Sequence, residues 1–136
     1  MHIANRLKVI GGVAILILIA IFTRTCTLPG DKSAELYQSQ CANCHMDDGS
    51  GLEGLIPPLN NAERLKQIKD QFACVVFYGK EGELRVGGAS YNGNMKGMPQ
   101  LSSEEIASIS SYVYSTWAND RGLSVKQVNE QVANCR

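Results

Sequence analysis

The sequence predicts an all-α domain, and three observations point there. Apolar residues recur at helical spacing in four stretches. Two of those stretches open with Ser followed three residues later by Glu or Gln, the sign of a capping box. No internal repeat or low-complexity tract interrupts them. One short hairpin around Gly87-Gly88 is the expected exception.

Residues 1–30 form an N-terminal segment and linker, set apart from a domain of about 100 residues over 31–136. Val9 to Phe22 is an unbroken apolar run, with Arg6 and Lys8 before it and Arg24 after it. The run falls short of the roughly 20 residues of a bilayer span, but Leu7 and snorkelling flanks extend it. An uncleaved membrane anchor helix is the preferred reading. A cleaved signal peptide has the same charge order, although Thr23, Arg24, Thr25 and Cys26 contain no small-x-small cleavage site. A lipoprotein would carry acyl chains on Cys26, although no lipobox precedes it. All three readings export the domain. The upstream basic residues keep the N-terminus in the cytoplasm, which places the domain on the periplasmic side of a bacterial cytoplasmic membrane.

Thr27 to Lys32 is a Pro/Gly linker, and a first helix is expected from about Asp31 or Ser33, with Ala34, Tyr37, Cys41 and Cys44 on one face. Asp47 to Asn61 is Gly-rich loop. Asn60 with Glu63 predicts the cap of a second helix, with Leu65, Ile68, Phe72 and Val75 as its buried stripe and Gly79 at its end. Glu83 to Tyr91 alternates about Gly87-Gly88, a pair suited to a two-residue turn. Ser102 and Glu105 open a third helix carrying Ile106, Ile109, Val113 and Trp117. Ser124 and Gln127 open a fourth carrying Val125, Val128, Val132 and Cys135.

Formal charge over the whole chain is zero, yet residues 31–136 hold all 13 acidic and only 10 basic side chains, a net charge of −3. Nucleic acid, which needs a basic face, is excluded as a partner. Chemistry is concentrated at Cys41-Ala42-Asn43-Cys44-His45, the Cys-x-x-Cys-His spacing of haem c attachment. Two thiols add to the two vinyl groups on one porphyrin edge, and the adjacent imidazole reaches the iron. A zinc site would need a further Cys/His pair, but the only other histidine is His2, across the apolar run. A thioredoxin-like pair would lie beside a βαβ pattern, and none is visible.

These residues, with Ala34 and Tyr37 before them, Gly49-x-Gly51, Pro57-x-Leu59, Tyr91-Asn92-Gly93-x-Met95 and Leu101-Ser102-x-x-Glu105-Ile106-Ala107 after them, resemble the small monohaem class I cytochromes c, membrane-anchored bacterial type. The resemblance covers about residues 31–136. It implies a cytochrome c-like helical domain around one covalent haem c, with the hairpin preceding a Met loop. Tyr37 on the first helix and Tyr112 on the third would lie where those helices cross beside the haem, although aromatic residues there also read simply as core. It further implies that the Pro57 carbonyl accepts a hydrogen bond from His45 and so orients the ring; loop rigidity accounts equally for Pro57-Pro58.

His45 is one iron ligand. Met46 is adjacent to it and cannot cross the ring, which leaves Met95 and Met98 for the other face. Met98-Pro99 matches a common family pair but lies very near the Ser102 cap. Gapless alignment with the family favours Met95, although Lys96 replaces the usual proline. Either methionine also reads as apolar filling beside the haem. Cys74 and Cys135 read as a disulfide in an oxidising compartment or as two buried thiols. Their resemblance to a subgroup of membrane-linked bacterial cytochromes favours the bridge, leaving Cys26 as the odd cysteine.

One-electron transfer between redox protein partners is therefore the expected function. His/Met ligation would raise the potential and close the iron to other ligands, and no small-molecule substrate is expected. The alternatives are an electron-delivering haem subunit of a larger oxidoreductase, and a module sensing a gas. No further His, Arg or carboxylate constellation suggests catalysis by the chain itself.

Overall fold

The computed structural model describes residues 30–135. The expected anchor over Val9–Phe22 and the odd Cys26 lie outside the described residues. Among the described residues no helix is long and apolar enough to cross a membrane. Lys32–Arg136 forms one compact unit.

Helix α1 (Gly30–Gln40) runs almost directly into a single turn, α2 (Ala42–His45). An irregular stretch leads to α3 (Ala62–Gln67), a 3-10 turn (Lys69–Gln71) and α4 (Phe72–Tyr78). Four short strands follow: β1 (Gly79–Lys80), β2 (Leu84–Val86), β3 (Ala89–Tyr91) and β4 (Met95–Lys96). The chain closes with α5 (Ser103–Trp117) and α6 (Val125–Asn134). Strands β2 and β3 form the expected antiparallel hairpin, with Gly87 and Gly88 both at positive φ in the turn. A second antiparallel pair, β1 with β4, joins the end of α4 to Met95 and Lys96; sequence periodicity gave no hint of it.

Both predicted capping boxes are present. Ser102 accepts from the Glu105 N–H while the Glu105 carboxylate accepts from Ser102 N–H, and Ser124 and Gln127 do the same. The core gathers Tyr37 from α1, Leu65 from α3, Ile106, Ile109, Val113 and Tyr114 from α5, and Val128 from α6, each almost inaccessible to water. Its polar atoms are paired. Tyr114 donates to the Leu65 carbonyl at 2.8 Å, and the Ser110 hydroxyl accepts from Leu123 N–H at 2.7 Å.

The second helix departs from expectation in two ways. Asn61, not Asn60, is its cap: the Asn61 side chain accepts from Arg64 N–H at 2.9 Å, while Asn60 donates to the Asp48 carbonyl and braces the preceding loop. The helix also breaks at Ile68. The carboxamide of Gln131, reaching over from α6, satisfies the freed groups: it donates to the Lys69 carbonyl and accepts from Ala73 N–H, each at 2.9 Å. The break rotates the later face. Phe72, Ala73 and Val76 are buried, whereas Ile68 and Val75 are only half-buried. On α6, Val125 is exposed and Cys135 falls just past the helix end.

Candidate functional site

Cys41, Cys44 and His45 lie on one tight turn. Cys41 N–H closes α1 by donating to the Tyr37 carbonyl at 2.8 Å, and the N–H groups of Cys44 and His45 both donate to the Cys41 carbonyl. The turn ends at Met46, which takes φ +64°, an uncommon conformation for a side-chain-bearing residue. Tyr37 holds it there, donating its hydroxyl to the Met46 carbonyl at 2.6 Å. Neither sequence spacing nor composition signals that bond. Tyr37 also meets Tyr112 and Trp117, with ring centroids 4.9 and 5.3 Å away. The first and last turns of the haem-motif region are thereby fixed to α5.

Cys41 is buried and Cys44 exposed, and neither is in a disulfide. Burial, with the neighbouring Cys44 adding to it, pushes the Cys41 thiol up to about 11. His45 is buried, and its Nδ1 lies 3.2 Å from the Pro57 carbonyl. A carbonyl only accepts, so Nδ1 carries the proton and Nε2 keeps its lone pair. Burial lowers the His45 pKa and so favours the neutral ring, an effect the Pro57 hydrogen bond partly offsets. A neutral imidazole with an oriented, unprotonated Nε2 is a competent iron ligand, and two cysteines, one adjacent to it and one a turn earlier, suit thioether formation. The donor set fits haem c.

Met95 is half-buried on β4, with Lys80 opposite it. Its segment is tied to the Pro57 loop by main-chain bonds: Asn92 N–H donates to the Gly54 carbonyl at 3.1 Å and Gly93 N–H to the Leu55 carbonyl at 3.0 Å. A Cβ at Gly93 would sit 2.1 Å from the Leu55 oxygen, so this approach requires glycine. The clasp between residues 54–55 and 92–93 links the segment bearing Met95 to the loop that orients His45. Met98, in contrast, packs against the hydrophobic core, its N–H donating to the Val76 carbonyl at 2.9 Å. Cys74 and Cys135 do not join this group. They form a disulfide between α4 and the end of α6.

A helical domain with a neutral, oriented histidine following two spaced thiols defines a haem c-carrying redox protein. The sequence profile of the cytochrome c family matches residues 31–117, and the chain belongs to that family as a small class I member. Two cytochrome c-552 proteins of Thermus thermophilus are each 37% identical over 90 residues. That region is 63% of this chain and 68% and 60% of theirs, so the chain matches under two thirds of the second. The cytochrome c subunit of a quinone alcohol dehydrogenase from Gluconobacter oxydans is 32% identical over 94 residues, 67% of this chain but only 19% of that subunit. As a member of the family, the chain carries covalent haem c with iron, transfers electrons to and from redox protein partners, and is not itself catalytic.

Proposed function

We propose that the chain is a tethered one-electron carrier, with haem c joined to Cys41 and Cys44 and the iron bound by His45 and Met95. The observation that carries this reading is the His45–Pro57 contact, which fixes the tautomer and leaves Nε2 available. Bound haem supplies reversible one-electron chemistry at iron. Pro57 keeps the imidazole oriented, Tyr37 holds the backbone behind it through Met46, and the clasp at residues 92–93 positions the Met95 segment. Met95 is favoured over Met98 because Met98 is already engaged with the core. The apolar run Val9–Phe22, flanked by basic residues, supports a retained anchor with the haem domain on the periplasmic side of the cytoplasmic membrane.

The test is ligation. In the ferric holoprotein, Met95→Ala is expected to lose the far-red sulfur-to-iron charge-transfer band, and Met98→Ala to retain it. The reverse result would overturn the assignment. Ready carbon monoxide binding by the wild-type ferrous protein would argue against a closed sixth position and against the carrier reading. The second reading, an electron-delivering subunit of a larger oxidoreductase, draws its support from the similarity to the Gluconobacter dehydrogenase subunit. Co-purification with a catalytic partner would favour it.

A further inference from the structure

Helix α6 lies beyond residue 117, where the family match ends, yet it is fastened to α4 in three ways. The half-buried Gln131 carboxamide bridges the helix break from Lys69 to Ala73. The Cys74–Cys135 disulfide joins the two elements covalently, and the Tyr78 hydroxyl reaches the Val132 carbonyl at 3.5 Å. A glutamine beside the apolar stripe of an amphipathic helix ordinarily meets water. Here both ends of one carboxamide are engaged on the main chain of another element.

The far end of α4 grips the methionine segment. Val76 accepts from Met98 N–H, and Gly79–Lys80 pairs with Met95–Lys96. At Gly97 the two backbones approach so closely that a Cβ would lie 2.5 Å from the Phe77 carbonyl oxygen. Packing this tight couples the end of α4 to residues 95–98, so a shift in one moves the other.

We propose that Gln131, acting with the Cys74–Cys135 bridge, is a positioning device for Met95: it fixes α4, and α4 keeps the methionine segment on the iron. The proposal rests on Met95 being the ligand. Removing the device raises the fraction of molecules in which Met95 has left the iron. An exogenous ligand binds only that fraction, so its apparent affinity rises in proportion.

Imidazole titration of the full-length ferric holoprotein, read as loss of the far-red band, measures this directly. Gln131→Leu and the paired Cys74→Ala/Cys135→Ala variant are each expected to bind imidazole about tenfold more tightly than wild type. Amide hydrogen exchange at Met98 should quicken in both. Asn129→Ala is the control: it lies on α6 but bonds to Ser103 of α5, and it should leave the imidazole affinity unchanged. If Gln131→Leu yields no holoprotein, the bridgeless variant decides. Unchanged affinity in the bridge and glutamine variants, or an equal rise in Asn129→Ala, overturns the proposal alone. A band that survives Met95→Ala overturns the ligand assignment and the proposal with it.

Discussion

Tyr37 does two separable things. Its ring fills the contact between α1 and α5 against Tyr112 and Trp117, and its hydroxyl pins the Met46 carbonyl immediately after His45. Burial raises its pKa, so the hydroxyl keeps the proton it donates. Tyr37→Phe removes only the hydrogen bond, and Met46 still accepts from Gly49 N–H. The expected cost is about 1 kcal/mol. Tyr37→Ala removes the ring too and should cost about 3–5 kcal/mol. Denaturant unfolding of the two holoprotein variants separates these contributions. The buried ring was legible from helical spacing with Ala34 and Cys41. The hydroxyl's partner was not, because it depends on a methionine taking positive φ, which no local rule favours.

At the scale of the element, the capping boxes were readable because both partners lie within one turn. Main-chain and side-chain hydrogen bonds from Ser102 hold the Glu105 carboxyl below its ordinary range. A depressed carboxylate stabilises the fold above its unfolded value, about 4.3. That contribution fades as pH falls through the folded value. Thermal melts of wild type should therefore lose stability on acidification, and Glu105→Gln should show a shallower loss over the same window. The second helix was harder to read. Asn60 and Asn61 are adjacent, and their local patterns are nearly equivalent; the demand of Asp48 for the Asn60 amide separates them. The groups freed by the break at Ile68 are satisfied by Gln131, distant in sequence, so no local window contains their partner. The β1–β4 pair escaped because each strand is only two residues long, too short to show alternation.

Across the whole molecule, the Cys74–Cys135 bridge closes a sequence separation of 61 residues. In the chain-entropy account such a closure stabilises by about 4 kcal/mol, a large fraction of the stability of a typical small domain. The Cys74→Ala/Cys135→Ala holoprotein should unfold at lower denaturant, with a steeper slope because the unbridged denatured chain exposes more surface. The clasp joining residues 54–55 to 92–93 carries a different consequence. It is made only of main-chain donors and acceptors, so exchanging the outward side chains of Leu55, 57% exposed, or Asn92 deletes neither bond. Proline at Asn92, or any side chain at Gly93, would break it. The outer contour at Leu55 and Asn92 can therefore be altered by side-chain substitution while the hold between the two loops stays intact.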